Sequence, residues 1–210
     1  MRGERVSPYL FYIALGYLMG GMLFADWLPK WLHGADVVAN SDDGNPGTFN
    51  AFAQCGVPTG MLVLTCELGK AFLPVFAAGR RFGVEDRLFA LVMLAPVLGH
   101  IFPIARRGHG GKGIAASFGV LLALAPDIRP AATLAMCYIL FSTALRVESH
   151  LWRSVVTYAA FAALAWLRFE IQAIRAGCVL VAAVVIVKHL IVRPEGDAFS
   201  MRLFGRRTAG

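Results

Sequence analysis

The feature that most constrains this chain is a succession of apolar runs, several of them long enough to cross a lipid bilayer. A spanning helix needs about 20 mostly apolar residues. Seven candidate runs can be read along the sequence: 8–28, 57–78, 88–105, 114–125, 130–145, 151–167 and 171–192. The fourth is short, and would have to start inside the preceding loop or at a re-entrant position. All are helix-length, whereas a barrel would need shorter alternating segments. The expected fold is therefore an all-α integral membrane protein of seven transmembrane helices, forming one polytopic domain over residues 1–210.

Composition supports this. Of 210 residues, 58% are hydrophobic and 16% are charged, against about 25% charged in soluble domains. The net charge of +7 suits contact with anionic lipid or an anionic substrate. The basic residues lie scattered at helix ends and form no stripe, which argues against nucleic acid. Cys55, Cys66, Cys137 and Cys178 lie far apart and read as packing residues. Arg2 and Arg5 precede the first run, but no small-x-small cleavage site follows, so that run reads as a retained helix. With seven spans, eleven Lys and Arg fall on the face holding the loops after spans one and three and the basic tail 193–210. Eight fall on the other face. This mild bias puts the motif loops (about 36–56 and 105–113) and the C-terminus in the cytoplasm, with the N-terminus outside.

Two loops carry the chemistry. Gly108-His109-Gly110-Gly111-Lys112-Gly113 holds four glycines and one lysine in six residues. Glycines let a backbone approach an anion closely, and the lysine adds a full charge. This is no Walker A loop, because Gly113 follows Lys112 and no strand precedes it. A phosphate is expected on the amides of Gly110 to Gly113 and on the N-terminus of the next helix, with Arg106 and Arg107 adding to the field. A plain positive-inside loop is the bland alternative. The second loop, within the polar stretch 29–56, is dense in turn formers and holds Asp42, Asp43, Gly44, Asn45, Gly47 and Asn50. Trp27 and Trp31 read as interfacial anchors.

Ionisable residues inside the apolar runs are costly and mark function or a buried pair. Glu67 and Lys70, three apart, can pair on one helix face, with Lys70 near the mouth of a substrate cavity. His100 and His189 sit at the ends of spans three and seven. Each can serve a phosphate or hydroxyl, or simply bond a carbonyl. His33 and His150 read as surface residues.

At GNPGTFN, E-x-x-K, GHIFP…GGKG and the K-H pair at 188–189, the sequence resembles the PlsY-type bacterial acyl-phosphate:glycerol-3-phosphate acyltransferases. The resemblance covers nearly the whole chain. It implies a bacterial cytoplasmic-membrane enzyme that moves a fatty acyl group from acyl phosphate to glycerol 3-phosphate, giving lysophosphatidate and phosphate, without cofactor or metal. Acyl phosphate, glycerol 3-phosphate and membrane lipids would be its partners, and a monomer is expected. The resemblance also implies catalytic roles for His100, His189 and Asp43. Substrate binding would fall to Gly44, Asn45, Gly47, Asn50, Lys70, Arg106, Arg107, Gly110, Gly111, Lys112, Gly113 and Lys188.

The chain departs from the family pattern at several positions. Asp43 stands for a serine, Phe49 for a threonine, Ala53 for an arginine, Gly108-His109 for Phe-Lys, Lys188 for an arginine and Val192 for an asparagine. An inactive relative, a member with another acceptor, or a small organic-anion permease are the competing readings. Asp43 could act as a base or hold Mg²⁺. Asp43→Ser is expected to abolish acyl transfer by the purified protein; unchanged kinetics would make the carboxylate incidental.

Overall fold

The computed structural model describes residues 3–41, 44–193 and 197–203. Eight α-helices occur there: α1 (Gly3–Gly20), α2 (Phe24–His33), α3 (Thr48–Phe82), α4 (Phe89–Ile101), α5 (Ile114–Leu122), α6 (Arg129–Ser142), α7 (His150–Arg168) and α8 (Gln172–Ile191). A 3-10 turn, Ile104–Arg106, follows α4. Strands β1 (Leu145–Val147) and β2 (Met201–Leu203) pair antiparallel, Arg146 opposite Arg202.

Three helices are long and apolar enough to cross a membrane: α3, α4 with its 3-10 extension, and α8. The 8–20 part of α1 and α2 make a fourth if counted as one span bent by 40°. The outer faces agree with a lipid environment, since Leu10, Phe11, Leu73, Leu140 and Leu167 are all exposed.

Helix α4 is central. Ten of its thirteen residues are buried, and it packs against α1, α3, α5 and α8. Its Val92, Met93 and Val97 share one core with Val75 of α3, Val120 of α5, Leu134 of α6, Phe161 of α7 and Val181 of α8. Small residues bring the backbones together: a Cβ on Gly119 would overlap the carbonyl oxygen of Leu68 and lie 3.0 Å from Ala71 Cβ.

Three expectations are corrected. The run 8–28 is not one helix: it breaks over Gly21–Leu23, where the Met22 carbonyl accepts from Lys70. The first-motif loop is shorter than 36–56, because α3 starts at Thr48 and continues through a kink at Gly56, whose φ is 79°. The fifth run ends as a helix at Ser142, where Thr143 turns its hydroxyl back to Ile139 O at 2.7 Å and the chain enters β1. The tail also carries order of its own in β2. There Ser149 donates to Asp197 at 2.7 Å, and Arg193 lies over the Trp152 ring.

The short fourth run is a half-length helix. Nine residues at 1.5 Å each reach roughly 13 Å, well short of a bilayer core of about 30 Å. Its N-terminus therefore opens directly off the glycine loop. Gly119→Leu is expected to destabilise the bundle by about 1–3 kcal/mol through overpacking, and Gly119→Ala by less. Thermal unfolding in detergent micelles measures both, and an unchanged midpoint for the leucine variant would contradict this packing.

Candidate active site

The site is built on a buried ionic cluster. Glu67 and Lys70 lie one turn apart on α3 and pair at 2.6 Å, with both side chains 1% exposed. From the end of α4, His100 Nδ1 reaches Glu67 Oε2 at 3.1 Å and Lys70 Nζ at 3.0 Å. The other carboxylate oxygen accepts the backbone N–H of Ala25 at 3.1 Å, and Lys70 donates to Met22 O. Lys70 is thus sealed inside rather than at a cavity mouth, because only the carboxylate, the imidazole and the freed carbonyl offset its desolvation. His100 is no carbonyl-bonded packing residue either.

The glycine loop is folded against that same histidine. Gly110 and Gly111 donate their N–H groups to Ile101 O at 3.2 Å and His100 O at 3.1 Å. A Cβ on Gly111 would overlap His100 Nε2 and lie 3.1 Å from Pro46 O. Only glycine fits there, and the contact brings the two motif loops together. Gly113 has φ 85°, and its Cβ position is 2.9 Å from Ile101 Cδ1 and 3.3 Å from Val185 Cγ2, so α8 closes the third side. Lys112, half-buried, projects from between these glycines within electrostatic reach of His189. Helix α5 starts at the next residue, and no side chain among the described residues caps it. Its first-turn N–H groups are the kind that an anion satisfies.

Helix α8 supplies Lys188 and His189, both buried. Lys188 Nζ lies 5.6 Å from the centroid of the Phe102 ring. His189 Nδ1 is 2.8 Å from Val185 O. A carbonyl only accepts, so Nδ1 carries the proton, and in the neutral ring Nε2 keeps its lone pair.

The first-motif loop is pinned by its own backbone. Asn45 O accepts Asn50 Nδ2 at 2.9 Å and Gly47 N at 2.8 Å, and Pro46 is buried. Upstream, Asp36 accepts the Ala39 N–H at 3.0 Å and pairs with Lys30 at 3.2 Å. These contacts, the Ala39 N–H first, hold its carboxyl below the usual range. Asp42 and Asp43 lie outside the described residues.

The structure therefore brings together His100, Gly110, Gly111, Lys112, Gly113, Lys188 and His189, with the Asn45–Gly47 turn alongside. Lys70 sits beneath them. Gly44 is exposed at the outer side of its loop, as are Arg107 and His109 in theirs. Arg106 is engaged elsewhere: its Nη1 donates to Asp26 Oδ2 at 2.8 Å. Sequence reading missed the helix break with Met22, Ala25 and Asp26, and missed that Glu67 and His100 meet. One signal was present: Asp26 is a carboxylate inside an apolar run. Glu67→Ala, which leaves a buried ammonium unpaired, is expected to cost about 3–5 kcal/mol of stability. Denaturation in micelles tests this; a loss below about 1 kcal/mol would contradict the pairing.

Comparisons with known proteins bear on the family and the fold. The family model for glycerol-3-phosphate acyltransferase matches residues 10–192. A glycerol-3-phosphate acyltransferase of Myxococcus xanthus is 39% identical over 137 residues, 65% of this chain and 70% of that protein. The Aquifex aeolicus protein of the same name is 32% identical over 154 residues, 73% of this chain and 74% of its own. Among solved structures, PlsY is described as an integral membrane glycerol 3-phosphate acyltransferase. Its glycerol 3-phosphate form superposes with a TM-score of 0.75 at 25% identity, covering 88% of this chain and 89% of PlsY. Its lysophosphatidic acid form gives 0.73, also at 25% identity, over 87% and 88%. The match spans both motif loops, the Glu67–Lys70 pair and the Lys188–His189 end of α8, and the chain belongs to the glycerol-3-phosphate acyltransferase family.

Proposed function

We propose that the protein transfers a fatty acyl group from acyl phosphate to a hydroxyl of glycerol 3-phosphate, releasing phosphate and leaving lysophosphatidate. The observation that carries this reading is the convergence of Lys112, Lys188, His189 and the uncapped start of α5 on one glycine loop. Such a set matches a phosphate far better than a neutral solute.

Acyl phosphate is a mixed anhydride and needs no enzyme-bound nucleophile. The glycerol hydroxyl attacks the acyl carbon, and the C–O bond to phosphate breaks as the ester bond forms. The hydroxyl proton passes to a base, for which His189 Nε2 is suited by its spent Nδ1. Lys112 and the α5 amides neutralise the phosphate, and Lys188 adds charge at the Phe102 side. Gly110, Gly111 and Gly113 let the backbone come close, while Gly44, Asn45, Gly47 and Asn50 shape the turn that would place the acceptor. Asp43 belongs to that turn as a second candidate base, and Arg107 lends exposed charge. His100 and Lys70 support the loop from below.

The acyl chain has a place to lie. An open apolar groove of about 520 Å³ between α1 and α4 is lined by Leu10, Ile13, Leu18, Leu91, Leu94 and Leu98. Tyr17, at its site end, donates to Phe102 O at 2.6 Å, so the groove runs toward the loop. In this reading the chain is a monomer in the bacterial cytoplasmic membrane, with seven membrane segments of which α5 reaches only part of the way. Both motif loops and the C-terminus then face the cytoplasm.

The test is acyl transfer from palmitoyl phosphate to glycerol 3-phosphate by the purified protein, with complementation of a strain lacking its own acyl-phosphate acyltransferase. Lys112→Met is expected to lower kcat/KM by at least about a hundredfold, as removal of one preorganised charge does elsewhere, with an unchanged melting midpoint. A wild-type protein without transfer would refute the reaction, and full activity of the variant would refute the role of Lys112.

A further inference from the structure

Residues 104–109 form an arm between the end of α4 and the glycines at 110–113. Its backbone bonds are local: Arg106 N and Gly108 N donate to Pro103 O, Arg107 N to Ile104 O, and His109 N to Arg106 O. Ile104, Arg107 and His109 are exposed. Among the described residues, the contact that carries this arm to a distant element is the Arg106–Asp26 ion pair, 80 residues apart in sequence. Asp26 is 8% exposed and Arg106 32%, so the pair is partly shielded and stronger than an exposed one.

Asp26 also holds Lys30 at 2.9 Å, and Lys30 reaches Asp36 at 3.2 Å. Two carboxylates thus face two cations, and the positive charge of Arg106 is already matched. Asp26 itself is fixed by its neighbour, since the Ala25 N–H is bonded to Glu67. The contacts form a closed ring: Glu67 to Ala25 and Asp26, Asp26 to Arg106, the arm to Gly111, Gly111 to His100 O, and His100 back to Glu67.

We infer that Asp26 and Arg106 are positioning residues: their ion pair fastens the arm to α2 and thereby sets where Lys112 and the uncapped start of α5 stand for the phosphate of the acceptor. Arg106 is a tether and not a phosphate ligand. The inference rests on the proposed acyl transfer for its kinetic consequence, and on geometry alone for its structural one.

Two measurements test it on the full-length protein in lipid nanodiscs. In steady-state kinetics, Asp26→Asn and Arg106→Met are each expected to raise KM for glycerol 3-phosphate about tenfold, with kcat within about twofold, because a displaced clamp loses binding geometry. The double variant is expected to be no worse than either single one. If Arg106 bound phosphate directly, Asp26→Asn would release it and lower KM while Arg106→Met raised it; that split, or unchanged KM in both, overturns the inference. In limited trypsin digestion, cleavage after Arg107 is expected to be at least about fivefold faster in both variants, as the freed arm opens locally. Equal cleavage rates overturn the tether even where no acyl transfer is detected, which separates its failure from that of the reaction. Arg106, partly exposed, keeps the test open if Asp26→Asn does not fold.

Discussion

One carboxylate holds the site in register. Glu67 lies within a helix where water cannot solvate it, and its two oxygens are divided between different tasks. One accepts the backbone amide of Ala25 and so fixes the restart of the chain after the helix break. The other lies between an ammonium and an imidazole. A buried charge of this kind is tolerated only while every partner stays in place. The demand runs outward: His100 must present its ring, Lys70 needs the Met22 carbonyl, and that carbonyl is available only because α1 stops at Gly20. An interruption that looks like a defect in a transmembrane helix is therefore the means by which three helices agree on a common position.

The positive side of the site is built differently. Lys112, Lys188 and His189 come from a loop and from the end of α8, and they gather around backbone that only glycine allows. Arg106, Lys30 and Lys70, by contrast, are each paired with an acid. The molecule thus sorts its cations into two groups. One group is paired and structural, and the other stands at the glycine loop, where the proposed reaction needs positive charge.

Much of this was legible in the sequence, for identifiable reasons. Apolar runs announce helices in lipid because backbone polar groups have no alternative partner there. GGKG marks a place of close backbone approach, and Gly111 does pack where a Cβ would meet His100. The Glu67–Lys70 pair followed from helical spacing. What could not be read was three-dimensional coincidence. No periodicity shows that His100 meets Glu67, or that Arg106, next to Arg107 and equally basic, is claimed by Asp26. The run 8–28 is apolar throughout its break, so hydropathy carries it straight through Met22. The split fifth run and the β1–β2 ribbon were hidden for a similar reason: three-residue strands fall below any pattern that alternation can establish.

That ribbon has a mechanical consequence. α7 and α8 form an antiparallel hairpin whose open end lies between His150 and Ile191. Pairing of 145–147 with 201–203, together with the Ser149–Asp197 bond, ties that open end shut. The hairpin becomes a closed hoop. Lys188 and His189 stand at its rim, where an untied helix would fray first. To peel the last turn of α8 away from the glycine loop, a fluctuation must first unzip the ribbon, so the final turn inherits a stiffness that its own hydrogen bonds could not provide.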